Sequence, residues 1–550
     1  MKRNFLFYSI IIAVSFVANI STMKAEGGQG IAYYKAGFPL VAKPLLLAEL
    51  ESNTQTQAEV CFYLGNIYFK ENQADSAAIF FNKGKVANPL YPLNTIGLSM
   101  LKIKSNLVES DLEIVTCLKD KANKKNVDLV IAAANAYLFN GMIDKATIYQ
   151  EKAKSIKPKY ALVSVLLGDI ELAKGNTGPA CGSYELAILY DESCKEAYIK
   201  YARAYKNVNP TLSIEMLGKL KVKEPTFLLV DRELADIYYA INEFPKAAEK
   251  YENYMQSGNF SIEDLTQYAF ILFLSHDYAK SLEVTNKGIV KAPRNAAFNR
   301  LSMYNNTDLK QYNEALKSAN LFFNQSDKPK FSYLDYRYYG QALRETKQFD
   351  LAIPQFQKAL TMDSSKVELL KDISDMYNEK ADFKNAIQFY NKYVSALAPD
   401  AKTADVYMPL GKLYYGYANK DSVAPEFKKT LLLKADSLFA VVASLEPTGY
   451  RGNFWRANTN TALDDADASQ GLAKPYYEQT ITLIEAKSDA ARYNSILTTC
   501  YSYLGVYYLK KDNVDQSTIC WNKILAIQPE NALAKRILDD LAKEKKNKKK

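Results

Sequence analysis

In the stretch AEVCFYLGNIYFKENQADSAAIFFNKGKVANP, large apolar residues alternate with small and polar ones in a pattern that predicts two antiparallel helices. Leu64 and Gly65 are followed at fixed offsets by Tyr68, Ala77, Phe81, Gly84 and Pro89. Small Gly65 and Ala77 let the two helices approach closely, and Tyr68 and Phe81 fill the space above and below that contact. Pro89 stops the second helix and starts the next unit. The offsets return at Ala134, Tyr137, Ala146, Ala153 and Pro158, at Leu167, Gly168, Ala180, Tyr184 and Ala187, and at Ala235, Tyr238, Ala247 and Tyr251. They return again at Tyr339, Gly340, Ala352, Phe356 and Ala359, at Tyr377, Ala386 and Tyr390, and at Leu504, Gly505, Tyr508, Trp521 and Pro529. Weaker copies surround Gly97, Ala202, Ala269 and Met303, and a truncated copy spans Tyr33 to Leu50. One such hairpin cannot bury its apolar faces alone, so its neighbours must stack on it. The expected fold is all-α: a superhelical solenoid of about 12 to 14 hairpins of roughly 34 residues, closed by a cap helix from Asn531 to Ala542.

The Leu-Gly, Tyr, Ala, Phe, Gly and Pro pattern from Leu64 to Pro89 closely resembles the tetratricopeptide repeat (TPR). The resemblance implies a concave groove lined by the first helix of each repeat and open to a peptide or a partner helix. It places Asn66, Asn135, Asp169, Arg203, Arg232, Asp236, Tyr239, Arg300, Tyr304, Arg337, Gln341, Arg344, Lys371, Asp375 and Lys412 towards that groove. A chaperone-tail clamp of this family pairs a Lys with an Asn four residues later; Phe62 and Ile131 precede Asn66 and Asn135 here, so that clamp is not expected. Two repeats depart from the pattern. From Gly411 to Ala435 the small contact residues stand 24 apart, where neighbouring copies use 12, so YGYANKDSVAPEFKKTLLLK must lengthen the hairpin or project from it. The next copy, from Tyr450, lacks a clean Leu-Gly and carries its own insertion.

The ends of the chain read differently. Lys2 and Arg3 precede an uncharged run from Phe5 to Ile20, and Ala25 offers a cleavage point, which is the pattern of a secretory signal. The run is shorter than the roughly 18 residues of a spanning helix. The first cysteine, Cys61, lies too far on to be a lipid-attachment residue. The net charge of +9 divides into +3 from Lys2, Arg3 and Lys24, +5 from the tail KEKKNKKK, and about +1 for the body. A near-neutral body argues against binding to a nucleic-acid duplex, while the tail suits peripheral contact with an anionic membrane surface.

Little in the sequence favours catalysis. His276 is the only histidine, which removes histidine-based triads and HExxH metal sites. No phosphate-binding glycine loop and no GxSxG elbow occurs. Six cysteines show no metal-ligand spacing and read as buried thiols. Asp465, Asp467 and Ser469 begin like a calcium loop, but Gly471 falls one residue late and Tyr476 stands where a closing Glu belongs, so helix capping is expected. No cofactor and no metal are expected.

The expected organisation is a signal (1–25), an N-terminal array (26–290), a central array (291–400), irregular repeats (401–490), a last repeat with its cap (491–542) and a Lys-rich tail (543–550). The expected role is a non-catalytic scaffold or assembly factor of the bacterial cell envelope, in the periplasm or otherwise exported, with other envelope proteins as partners. A glycan-binding outer-membrane protein of the starch-utilisation class is the alternative, disfavoured by two Trp and an uninterrupted array. Arg300, Arg337, Arg344, Lys371 and Lys412 all fall on first helices, and with Tyr304 and Gln341 they form the candidate track for an extended acidic segment.

Overall fold

The computed structural model describes residues 28–52, 56–464 and 470–547, and among these every regular element is a helix. The segment 1–25, the positions Asp465, Asp467 and Ser469, and the last three lysines lie outside the described residues. The chain divides into two compact units at Asn305 and Asn306.

The first unit opens with α1 (Gln29–Lys35), α2 (Pro39–Ser52), α3 (Gln57–Lys70), α4 (Ala74–Ala87), α5 (Leu93–Lys102) and α6 (Leu107–Lys119). It continues through α7 (Val127–Phe139), α8 (Ile143–Ile156), α9 (Ala161–Ala173), α10 (Thr177–Tyr190), α11 (Lys195–Tyr205) and α12 (Pro210–Lys223). Next come α13 (Leu229–Ala240), α14 (Phe244–Met255), α15 (Ile262–Leu274) and α16 (Tyr278–Lys291), and the division between units falls inside α17 (Ala296–Asp308). The second unit holds α18 (Tyr312–Gln325), α19 (Tyr333–Glu345), α20 (Phe349–Met362), α21 (Glu368–Glu379), α22 (Phe383–Ala396) and α23 (Ala404–Ala418). It ends with α24 (Pro425–Leu445), α25 (Arg451–Leu463), α26 (Lys474–Glu485), α27 (Asn494–Lys510), α28 (Val514–Ile527) and α29 (Ala532–Asn547). Among the described residues, 29 α-helices make fourteen successive pairs and a last single helix, the repeat solenoid expected from the pattern. The final helix runs to Asn547, five residues beyond the expected Ala542, because Lys543, Glu544, Lys545, Lys546 and Asn547 include good helix formers and no breaker.

Local chemistry repeats with the hairpins. First helices end in a left-handed residue, such as Asn72, Gly141, Ala381 or Asp512, and the next N–H reaches back five residues, as from Gln73 to the Tyr68 carbonyl at 2.9 Å. Second helices stop two residues before Pro89, Pro158, Pro225, Pro293, Pro447 and Pro529. Phe81 is wholly buried, and a methyl group on either Gly65 or Gly97 would overlap its ring, so one aromatic wedge joins a hairpin to its successor. Trp521 meets Gly505 and Phe439 meets Gly411 in the same way.

Two copies keep this contact with serine. Ser281 and Ser517 stand where stronger copies carry Ala, and their buried hydroxyls donate to the Ala269 carbonyl at 2.7 Å and the Gly505 carbonyl at 2.8 Å. Serine fits because its one donor is satisfied by the helix it packs against.

The interval from Gly411 to Ala435 lengthens its hairpin. Helix α23 has 15 residues and α24 has 21, and the added turns bury Ala418, Leu431 and Leu432 in a small core of their own. The Lys420 ammonium donates to the Ala381 carbonyl and Tyr417 stacks on Phe383, fixing the extension to the preceding hairpin.

Candidate functional site

Two places on the array gather polar groups along first helices, one in each unit. In the first unit, α1 turns back onto distant repeats through Gly37 and Phe38. Gly37 has φ +81°, which favours glycine, and its carbonyl accepts from Arg203 Nη1 at 3.1 Å. The Phe38 ring lies 4.6 Å from the Arg203 guanidinium and 5.1 Å from that of Arg232. The two arginines are held in turn by carboxylates: Arg203 by Glu233 at 2.7 Å, Arg232 by Asp264 at 2.7 Å. Tyr33 lies beside the Asn259 side chain.

Beside this closure lies a cavity of about 760 Å³ lined by residues of α1, α3, α5, α7, α9 and α11. Its charged lining comprises Lys35, Lys70, Lys200, Glu59, Asp128, Asp169 and Glu196. Lys200 is neutralised by Asp169 at 2.5 Å and Glu196 at 2.7 Å. Asp169 also accepts from the Tyr184 hydroxyl, and Asp128 from that of Tyr160. Lys70 has no carboxylate partner among the described residues; its ammonium stands 4.2 Å from the Phe139 ring centre and 5.3 Å from that of Tyr34. The Lys70 side chain is exposed, yet the protein mass around the cavity removes part of its hydration and Lys200 adds repulsion, and the two lower its pKa to about 8. Burial pushes the Tyr34 and Tyr63 hydroxyls up, so both stay protonated donors.

In the second unit, Arg337, Gln341 and Arg344 lie on α19, Lys371 on α21 and Lys412 on α23. Arg344 is bound to Asp372 of α21 at 2.8 Å and to Glu345 at 2.8 Å. Arg337 is half-buried beside the Tyr338 ring, Lys371 is exposed, and Lys412 is exposed 5.0 Å from the Trp455 ring; none of the three has a carboxylate within ion-pair distance among the described residues. Gln341 is half-buried between them along the helix. Arg300 and Tyr304 belong to the first unit's part of α17. Arg300 is half-buried and engaged by neighbours, and Tyr304 is buried against Phe273 at 5.7 Å, so Tyr304 offers no open aromatic face. That corrects its expected role: a large aromatic on a first helix is claimed by packing where the adjoining hairpins close over it.

Of the positions placed on the groove by resemblance, Asn66, Asn135 and Asp169 line the cavity, while Arg232, Asp236 and Tyr239 line a smaller cleft. Sequence reasoning passed over Glu59, Tyr63 and Lys70, although they share one face of α3 with Asn66 at helical spacing. The closure by Phe38 had no signal, because its partners lie more than 160 residues away in sequence.

A tetratricopeptide repeat family model matches residues 127–160, the α7 and α8 hairpin, and a second model of that description matches residues 340–402, from within α19 past α22. The C-terminal part of a TPR repeat-containing protein from Cytophaga hutchinsonii is 31% identical over 49% of this chain and 97% of that one, with a TM-score of 0.41. The chain belongs to the tetratricopeptide repeat family. This TPR protein is also similar to a tetratricopeptide repeat protein from Parabacteroides merdae, at 16% identity over 46% of this chain and 98% of that one, TM-score 0.31. A third similar structure is YrrB, described as a TPR protein with an unusual peptide-binding site, at 17% identity over 41% and 96% of the two chains, TM-score 0.28. No curated protein matches the chain in sequence. The TPR fold is in general a scaffold for protein–protein interaction, and the family is generally non-catalytic.

Among the described residues of this TPR protein, no group of three or more His, Cys, Asp or Glu is arranged to hold a metal ion. His276 sits in a left-handed turn, exposed, with Nδ1 2.6 Å from the Tyr278 hydroxyl. All six cysteines are free thiols; Cys61, Cys181, Cys500 and Cys520 are buried, and burial pushes Cys500 up to about 12. No described helix is long and apolar enough to cross a membrane.

Proposed function

We propose that this TPR protein is a non-catalytic scaffold of the bacterial cell envelope that holds an acidic partner segment along the first helices of its second unit. The observation that supports this reading is the row of Arg337, Lys371 and Lys412 on α19, α21 and α23, three cations without carboxylate partners among the described residues. Arg344 sets the row's geometry by tying α19 to α21 through Asp372, and its charge is already satisfied. Surface cations of this kind recognise a carboxylate-rich chain without a deep pocket, and they do so in a salt-dependent way.

The test is a cross-linking pulldown from the native envelope. Arg337→Ala with Lys371→Ala should weaken partner capture by about 1 to 3 kcal/mol, and added salt should mimic the loss, with helical circular dichroism unchanged. Capture that survives both overturns the reading. Export is supported by Lys2, Arg3, the apolar run from Phe5 and Ala25. The mature protein recovered from the envelope should begin at Glu26; protein that retains Met1 in the cytoplasm overturns this part.

A further inference from the structure

Tyr184 and Tyr251 occupy the same place in two hairpins, four residues after the small contact residues Ala180 and Ala247 of the second helix. Each is matched in register by an aspartate just after the small residue of the first helix, Asp169 after Gly168 and Asp236 after Ala235. In the α9 and α10 hairpin the pair is closed: the Tyr184 hydroxyl donates to Asp169 at 2.9 Å. In the α13 and α14 hairpin it is open. Tyr251 is wholly buried, yet its hydroxyl has no hydrogen-bond partner among the described residues. The cause lies three residues before the small position of the first helix, where α9 carries Val165 and α13 carries Arg232. Arg232 draws one oxygen of Asp236 to its Nη1 at 3.1 Å, and the other oxygen has no partner among the described residues. A buried hydroxyl left in this way destabilises the chain that carries it.

Tyr251 and Asp236 both line the smaller cleft, of about 390 Å³. Burial and the nearby Asp236 charge hold the Tyr251 hydroxyl protonated, so it stays a donor. Other polar groups of the lining are open too: Lys206 and Gln267 are half-buried and Glu263 is exposed, and none of the three is bonded to another side chain among the described residues. Tyr239 forms a half-buried wall, its ring held by Phe244 at 5.9 Å and Phe270 at 6.4 Å. Lys206 and Arg232 balance Asp236 and Glu263, so the lining carries no net charge.

A group that closes the open pair through one atom must accept from the Tyr251 hydroxyl and donate to Asp236. A carboxylate has no proton to give and an ammonium no lone pair to offer, whereas a hydroxyl does both. Water is the smallest such group, but the cleft holds many times the roughly 30 Å³ that one water occupies in the liquid. We propose that this cleft binds one neutral sugar ring, with a hydroxyl of the sugar bridging Tyr251 and Asp236. Gln267 and Lys206 bond further hydroxyls, and the Tyr239 ring takes the C–H face of the sugar. The balanced lining leaves no charge for the ligand to neutralise. The row on the second unit takes an acidic segment of a partner, so the two readings stand or fall separately.

Calorimetric titration of the mature protein with D-glucose, D-galactose, D-mannose and D-xylose tests the proposal, with acetate, putrescine and acetamide as carboxylate, ammonium and amide comparisons. At least one sugar should bind at one per chain with a Kd of about 1 mM or tighter. Tyr251→Phe removes a hydroxyl that the folded chain leaves unbonded, so its urea midpoint should equal or exceed the parent's while sugar affinity falls about ten-fold. Gln267→Ala, at a side chain without a bonded neighbour, should weaken the sugar about three-fold or more at unchanged stability. Failure of every sugar to bind at about 20 mM overturns the proposal. Equal sugar affinity in both variants, or tighter binding of a comparison molecule, overturns it as well. So does a lower midpoint for Tyr251→Phe, because the hydroxyl would then be bonded within the chain.

Discussion

Phe81 touches Gly65 on its own hairpin and Gly97 on the next, so two glycines serve one aromatic ring. A methyl at Gly65 has no room unless Phe81 leaves its rotamer or the helices separate, and neither helix can move without its neighbour. Gly65→Ala should therefore destabilise the protein by about 1 to 3 kcal/mol in urea denaturation, although alanine is the better helix former. A neutral or stabilising result would show that the wedge is slack. Lys70 makes a second residue-scale case. Its folded pKa of about 8 lies below its ordinary 10.5 even though the last turn of a helix favours a cation, so desolvation and Lys200 outweigh the dipole. Between those values the unfolded chain binds more protons than the folded one, and stability rises with pH across that window. Below about 8 the cost of the charged lysine is at its greatest, and solvent screening at this exposed side chain keeps it small. Lys70→Met should thus be more stable relative to the parent near about pH 7 than near about pH 10, as read from paired urea midpoints. An identical difference at both values would mean that solvent at this exposed side chain screens the shift completely. Both residues stand in the sequence at recognisable positions, yet only Gly65 could be read there, because a close contact follows from the repeat while desolvation depends on what surrounds the side chain.

At the scale of elements, the long hairpin of α23 and α24 shows how an array absorbs an insertion. Its extra turns carry their own core in Ala418, Leu431 and Leu432, joined by the edge aromatics Tyr414, Tyr415 and Tyr417. Leu432→Ala should cost about 2 to 5 kcal/mol of local stability. Hydrogen exchange should show the loss between Tyr414 and Leu432, with protection in α27 and α28 unchanged, since repeats contact chiefly their neighbours. Uniform loss of protection along the second unit would contradict a separate core. The sequence showed the doubled interval from Gly411 to Ala435 but not its form. Lengthening and protrusion have the same spacing, and the choice rested on whether Tyr417 could find Phe383 and Lys420 the Ala381 carbonyl.

For the whole molecule, the core is distributed. In the first unit it runs without a break from Ile31 to Leu301, and in the second it is divided among smaller clusters, one of them joining Tyr477 and Ile484 of α26 to Leu504 and Trp521. Removing the chain from Arg492 onward takes away α27, α28 and α29 and uncovers that face of α26. The remainder should stay folded and helical, with α25 and α26 frayed and the first unit unaffected, as followed by circular dichroism and hydrogen exchange. Complete loss of helical signal would mean that stability is lodged in one cooperative body.

What the sequence determined by itself is everything that repeats. The Leu-Gly, Tyr, Ala and Pro offsets specify a helix pair, and the same contact made many times over leaves little freedom in how one hairpin meets the next. The weaker copies were legible at Gly97, Ala202 and Ala269, while the structure showed that Ser281 and Ser517 take the place of alanine. The tertiary structure alone decided what happens once. It put Phe38 between Arg203 and Arg232, buried Tyr304, tied Arg344 to Asp372 and left Glu59 and Lys70 facing a cavity without partners. A repeated contact is encoded by short-range spacing, whereas a side chain's charge partner, exposure and solvent depend on residues brought together from far along the chain.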